Sequence, residues 1–331
     1  MRVLSLFDGI SCARVALDRA GITVDEYYAA EIEPNAIKVA LKNYPKTQPI
    51  GDVKKLCGDC LLDIDLLIGG SPCQDLSIAK KGRKGLDGDR SGLFWQWVRL
   101  WKEVKPKWWV LENVASMPQK DRDIITKELG VEPVMFNAAL VSAQSRKRLF
   151  WTNIPFTLPE DQGILLKDIL QPECDVSERM TVKGKCVATA QTGRNETKKL
   201  GFMNGLDHQA NRVYDDAGKL PALASVCNSM VKVGHIGNSD SQGNRVYDAN
   251  GKSATLSANG GGLGAKTGLY KVDLPTSTIR KLTPIECERL QGLPDNYTDC
   301  VANTNRYKCL GNAFNVDVVA HILRGMNFVA D

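Results

Sequence analysis

Apolar and polar positions follow two rhythms in the first half of the chain. Short apolar runs of the kind buried in a sheet occupy Arg2–Phe7, Glu26–Glu33, Ile64–Ile68 and Trp108–Leu111. Val134–Val141 and Leu149–Ile154 predict two further strands. Between them, apolar residues recur at helical spacing. One such stretch starts at Ser11, a capping residue, and stops at Gly21, suited to a left-handed end. A second spans Pro34–Tyr44 with Pro45 just beyond, and a third, amphipathic and rich in Trp, spans Leu93–Val104. Strand, helix, strand in this order predicts an α/β fold, a doubly wound parallel sheet with ligands at the carboxyl ends of its strands.

The pattern changes near Pro172. From there to about Thr278 the chain is rich in Gly, Asn, Ser and Thr, with short β-like pieces. It also repeats itself: Gln209-Ala-Asn-Arg-Val-Tyr-Asp-Asp-Ala-Gly-Lys219 returns 33 positions on as Gln242-Gly-Asn-Arg-Val-Tyr-Asp-Ala-Asn-Gly-Lys252. A fainter copy centres on Gly184-Lys185 and Val187–Thr189. Two clear copies make a small β module with Tyr214 and Tyr247 in hairpins, not a solenoid. Helical patterning returns over Ile279–Leu290 and again over Asp317–Met326.

Composition narrows the class. A chain of 331 residues, 43% hydrophobic and 24% charged, fits one large globular domain plus a smaller one. No apolar run reaches the ~18 residues that span a bilayer, and the N-terminus lacks signal-peptide character, so a soluble, cytoplasmic protein is expected. The ten cysteines are scattered, which suits a reducing compartment. The lone Cys57-Gly-Asp-Cys60 lacks the two further ligands that zinc requires, so no metal site is expected, and a pair of surface thiols is the simpler reading. A net charge of +5 permits an anionic partner without demanding one.

Five segments carry candidate chemistry. Phe7-Asp8-Gly9-Ile10-Ser11 turns from the first strand into a helix, which offers unpaired N–H groups to a nucleotide-like ligand. Only Gly9 of the dinucleotide fingerprint is present, so the turn fits a nucleoside without phosphates. Glu31 and Glu33 close the second strand where a ribose hydroxyl would be held, and Asp52 can accept from an adenine amino group. A structural turn with surface acids accounts for this set equally well. Gly69-Gly-Ser-Pro-Cys73-Gln74 follows a buried strand, which places Cys73 at the active-site end of the sheet, stiffened by Pro72. Glu112-Asn113 ends the next strand, where burial would suit the carboxyl to hydrogen-bond donation or general-acid work, although taken alone an N-cap or turn acid is the better reading. Arg146 and Arg148, two apart on a strand, point to one face and either suit a carbonyl or phosphate oxygen or form a solvated basic edge. Asp75–Gly92 is basic and glycine-rich, either a loop that closes on a polyanion or a plain solvated loop.

Taken in order, Phe7-Asp-Gly-Ile-Ser11, Ser71-Pro-Cys-Gln74, Glu112-Asn-Val114, Gln144-Ser-Arg-Lys-Arg148, the run Arg280–Gly292 and Gly311-Asn-Ala-Phe-Asn-Val316 resemble the C5-cytosine DNA methyltransferase family across nearly the whole chain. The resemblance implies a Rossmann-like S-adenosylmethionine methyltransferase fold: a mostly parallel sheet with one antiparallel strand, plus a small β-rich target-recognition domain. It implies that Cys73 attacks C6 of cytosine, that Glu112 bonds ring N3 and the exocyclic amine, and that Arg148, with Arg146 beside it, lies near the base carbonyl. The methyl donor would be S-adenosyl-L-methionine. Phe7, Asp8, Gly9, Ile10 and Ser11 would hold it with Glu31 at the ribose, Ile32, Asp52 and Val53 at the adenine, and Pro72, Leu93 and Asn312 lining the pocket. The partner would be double-stranded DNA, with the base flipped out of the helix, and the protein a monomer. Residues 1–172 would form the catalytic domain, 173–278 the recognition domain, and 279–331 a segment that returns to the catalytic domain.

The chain departs from the family pattern at Ser11 and Cys12, where glycines are usual, and at Ile32, where an aromatic often stands. Three rivals keep parts of the argument. A tRNA cytosine methyltransferase keeps the chemistry and changes the substrate, and a non-catalytic DNA-binding protein keeps only the scaffold. A thiol hydrolase would need a histidine partner, and none of the three histidines sits in a motif that places one near Cys73.

Overall fold

In the computed structural model, the residues described are 1–61, 63–72, 91–172, 186–188, 199–202, 212–214, 230–236, 242–258, 264, 266–274 and 276–329. Cys73, Gln74 and nearly all of the Asp75–Gly92 loop lie outside them, as do Cys227 and most of the first repeat.

Seven strands form the main sheet: β1 (Arg2–Leu6), β2 (Glu26–Ala30), β3 (Gln48–Pro49), β4 (Leu66–Gly70), β5 (Trp108–Val114), β6 (Val134–Asn137) and β7 (Lys147–Thr152). Their order is β3-β2-β1-β4-β5-β7-β6, parallel except for β7, which runs against both neighbours. The apolar runs exist because the sheet is covered on both faces. Along β1, Val3 enters one core with α1 (Cys12–Arg19), α2 (Pro34–Asn43) and α7 (Val316–Leu323). Leu4 and Leu6 face the other, with α3 (Phe94–Val104) and α4 (Gln119–Leu129). Trp97, Trp101 and Trp109 pack against one another there, with centroids 5.5–6.3 Å apart.

The smaller β part contains β8 (Cys186–Ala188), β11 (Lys232–Ile236), β12 (Arg245–Asp248), β13 (Leu269–Leu274) and β14 (Thr276–Arg280) in the order β14-β13-β12-β11-β8, beside a two-stranded pair, β9 (Lys199–Phe202) and β10 (Arg212–Tyr214). The Arg-Val-Tyr of each repeat is a strand. In the second copy Tyr247 is buried against Tyr270, so it folds the module. Just after it, buried Lys252 donates from Nζ to the carbonyls of Ser142 (3.1 Å) and Ile164 (2.6 Å), tying this part to the main sheet's loops.

Three local expectations change. The strand expected over Val134–Val141 stops at Asn137, whose side chain accepts from the Ala139 amide and turns the chain. The helix expected from Ile279 begins only at Pro284, as α5 (Pro284–Leu290). Thr283 and Glu286 cap it reciprocally, and Arg280 belongs to β14. A helix absent from the sequence reading, α6 (Asn303–Asn312), precedes α7.

The run Arg280–Gly292 and its neighbours knit this C-terminal part together. Buried Glu288 accepts from the amides of Asn296 (2.7 Å) and Thr298 (2.9 Å) and from Arg306 (2.8 Å). Gln291 donates to the Leu310 carbonyl at 2.6 Å. Among the described residues no helix is long and apolar enough to cross a membrane.

Candidate active site

The sheet order reverses between β1 and β4, and ligands of such sheets bind at the carboxyl ends flanking that reversal. A cavity of about 290 Å³ lies there. It brings together, from the predicted set, Phe7, Asp8, Gly9 and Ile10 after β1, Glu31 and Ile32 after β2, Asp52 and Val53 after β3, Pro72 after β4, and Leu93 before α3. Glu112, Arg146, Arg148 and Asn312 line the same cavity. Ser11 does not line it, and Cys73 follows Pro72 outside the described residues.

The turn after β1 is built on left-handed backbone. Phe7 (φ 56°), Gly9 (φ 61°) and Ser11 (φ 60°) alternate with ordinary residues. Gly9 needs this freedom and lines the cavity, and a Cβ there would meet no protein atom within 4 Å. Ser11 stands at the N-cap of α1 but does not cap it. Its hydroxyl donates to Asp8 Oδ2 at 2.5 Å, while Tyr27 donates to Oδ1 at 2.6 Å. Burial raises the Asp8 pKa above the usual carboxylate range, and these two donors oppose that shift. Tyr297 reaches across to donate to the Ile10 carbonyl at 2.8 Å.

This network makes Ser11→Ala costlier than Ser11→Gly. Both lose a buried hydrogen bond to Asp8, a loss of about 1 kcal/mol, but glycine also relieves left-handed strain of roughly 1 kcal/mol. Denaturant titration of the two variants checks this prediction, and equal losses would show that the backbone there carries no strain.

Glu31 is fixed by three amides: Gly9 to Oε2 at 2.8 Å, and Ile32 and Glu33 to Oε1 at 2.8 and 2.9 Å. A carboxylate has about four acceptor positions, so one remains on Oε2 for a hydroxyl. Beside it Ile32 is 69% exposed, an apolar side chain standing over the cavity mouth. Asp52 Oδ1 accepts from the Lys54 amide at 3.0 Å, which orients it at the head of a short turn. One anchored carboxylate, one oriented one, a bare apolar platform and a glycine turn fit a nucleoside joined to an amino acid.

The reacting end is formed by β4, β5 and β7. Gly70 pairs with Glu112, and a Cβ on Gly70 would approach Glu112 Oε2 to 2.8 Å and the Phe314 ring to 2.9 Å, so a larger residue would push both side chains aside. Glu112 Oε1 lies 2.7 Å from Arg148 Nε. The sequence placed this carboxyl among apolar neighbours, and the structure adds a cation beside it. Next along β5, buried Asn113 donates to Ser71 Oγ at 3.1 Å and so fixes the approach to Pro72. Arg146 is buried just before β7 and donates to the carbonyls of Ala313 (2.8 Å), Gly311 (3.2 Å) and Leu256 (3.4 Å). It thus seats the segment bearing Asn312 against the small β part. Gly311 serves the same junction, since a Cβ there would come within 2.4 Å of the Ala258 nitrogen.

The sequence reading missed Lys308 and Phe314 as wall residues. Phe314 lay inside a quoted motif. Lys308 pairs with Glu33 across the cavity rim, a contact without a local sequence signal.

Comparison with known proteins agrees with this geometry. The model of the family described as C-5 cytosine-specific DNA methylase matches residues 1–327. The chain is 29% identical to the type II methyltransferase M.HhaI of Haemophilus parahaemolyticus, over 97% of this chain and 93% of that protein. It is 34% identical to the orphan methyltransferase M.SPRI of Bacillus phage SPR, over 52% of this chain and 42% of that one. The fold matches the Dnmt2 methyltransferase of S. pombe at TM-score 0.65 and 17% identity, covering both chains completely. It also matches a putative DNA modification methyltransferase from an E. coli prophage at TM-score 0.63 and 23% identity, covering 99% of each chain. The chain belongs to the C-5 cytosine-specific DNA methylase family, whose methyl donor is S-adenosylmethionine.

Proposed function

We propose that this chain methylates C5 of a cytosine flipped out of duplex DNA, with Cys73 as nucleophile. The observation that carries this reading is one cavity shared by the β1–β2–β3 turn residues, by the Glu112–Arg148 pair and by Ser71-Pro72, the two residues that precede Cys73 in the sequence. S-adenosylmethionine supplies an electrophilic methyl group. Glu31 holds its ribose, Asp52 the adenine amine and Ile32 the adenine face, while Gly9 admits the amino acid part.

C6 of cytosine is a poor electrophile, and the thiolate of Cys73 adds to it only if negative charge building on the ring is met. The Glu112 carboxyl meets that charge by giving a proton to N3 while its other oxygen accepts from the exocyclic amine, and Arg148 meets it at the ring carbonyl. The addition makes C5 nucleophilic. After methylation water takes the C5 proton, the C6–S bond breaks with its electron pair returning to Cys73 as thiolate, and the N3 proton returns to Glu112. Flipping costs roughly a few kcal/mol, which contacts from the basic 75–92 loop and the repeat-bearing module, the target-recognition part in this reading, would offset.

Cytosine-conversion sequencing of DNA from a methylation-free bacterial strain expressing the protein tests this. Cytosines protected in one short motif, and unprotected with Cys73→Ser, are the expected result. Protected cytosines that persist in the variant would remove Cys73 from the reaction, and protection confined to tRNA would move the substrate to RNA.

A further inference from the structure

The Cys57-Gly-Asp-Cys60 turn takes no part in the cavity. Both thiols are exposed, whereas Cys12, Cys287 and Cys309 are buried. The chain reverses here: the Cys60 amide donates to the Cys57 carbonyl at 3.2 Å, closing a short 3-10 turn over Gly58–Cys60. A turn closed between residues three apart holds their Cα atoms within about 7 Å, and a disulfide spans about 4.4–6.8 Å. The neighbouring Cys57 side chain pushes the Cys60 thiol pKa up, so the two side chains lie close enough to act on each other.

The turn is held from beneath. Gly58 donates its amide to Glu103 Oε2 at 2.9 Å, and Arg99 clamps both Glu103 oxygens at 2.9 and 2.8 Å. A Cβ on Gly58 would come within 2.4 Å of Glu103 Cβ, so this spacer must be glycine for the turn to sit on α3.

We propose that Cys57 and Cys60 are a redox-active dithiol, which small disulfides of the glutathione class oxidise to a reversible bridge across the turn. Two exchange steps balance the chemistry. The Cys57 thiolate attacks one sulfur of the small disulfide, forming a mixed disulfide and expelling one small thiolate. Cys60, whose proton is held by its neighbour until then, loses it and attacks the Cys57 sulfur, expelling the second. The protein gives up two electrons and two protons, and the small disulfide becomes two thiols. A held, preformed turn makes the second step intramolecular and fast.

The test is mass-spectrometric mapping of the full-length protein after exposure to glutathione disulfide and acid quench. The expected result is a peptide spanning 57–60 lighter by two hydrogens and restored by dithiothreitol. Cys60→Ser is expected to trap glutathione on Cys57 more than Cys57→Ser traps it on Cys60. Neither substitution should alter methyl transfer by the reduced protein, because neither residue lines the cavity. Two free thiols, or glutathione on each without a bridge, would overturn the proposal.

Discussion

Glu112→Gln lowers the rate of methyl transfer by about 10² to 10⁴, the range that a positioned acid–base group contributes, and leaves cofactor affinity nearly unchanged. The substitution keeps the size and planarity of the side chain but removes its charge. The carboxylate faces Arg148 at 2.7 Å and touches the close approach left by Gly70, so the amide fits the same space. What it cannot do is carry a proton to ring N3, the role proposed for Glu112 as Cys73 adds. In the proposed mechanism cofactor contacts run through Glu31, Ile32 and Asp52, which follow other strands, hence the separation of the two effects. Single-turnover transfer alongside equilibrium binding of S-adenosylhomocysteine measures both. A rate within tenfold of the parent would remove Glu112 from the chemical step.

Glu286→Ala costs about 3–5 kcal/mol of stability, the usual penalty for stranding one partner of a buried pair. Glu286 is fully buried and Arg280 is 4% exposed on its side chain, with bonds of 2.8 and 2.7 Å between them. The same carboxylate accepts from the amides of Thr283 (2.8 Å) and Gln171 (2.9 Å). Truncation therefore leaves a guanidinium and two amides without their acceptor at once. The double change Arg280→Met with Glu286→Leu should recover much of the loss, because no buried charge remains uncompensated. Urea midpoints of the three proteins decide it, and a double variant no better than Glu286→Ala would show that the amide contacts outweigh the ion pair.

The main sheet was legible because its strands are buried on both faces and so form unbroken apolar runs, as Val3 and Leu4 on opposite cores illustrate. Cavity residues at strand ends were legible by the same logic, since Glu31 closes the run Glu26–Glu33 and Glu112 follows Trp108–Leu111, whereas β3 before Asp52 is only the exposed pair Gln48–Pro49. Elements ruled by tertiary partners were not. Arg280 lies on a strand beside the helix-capping Glu286 that it pairs with, and that pairing shows no period. α6 is polar, with asparagines near both ends and no side-chain cap, so nothing local announces it. Ser11 has the residue type of a cap, yet its hydroxyl serves Asp8, a choice imposed by the left-handed turn. Lys308 reaches the cavity only because α6 packs beside α2.

The closing of the cavity by Lys308, Asn312 and Phe314 has a consequence for the protein's life before it is finished. A ribosome releases the chain from its N-terminus, and β1 through β7 can pair while residues beyond 300 are still inside the exit tunnel. At that stage Arg146 lacks the carbonyls of Gly311 and Ala313, Ile10 lacks Tyr297, and one wall of the pocket is missing. A nascent chain therefore lacks a closed pocket until the segment through Phe314 has emerged, so translation itself sets the moment at which the cavity is completed.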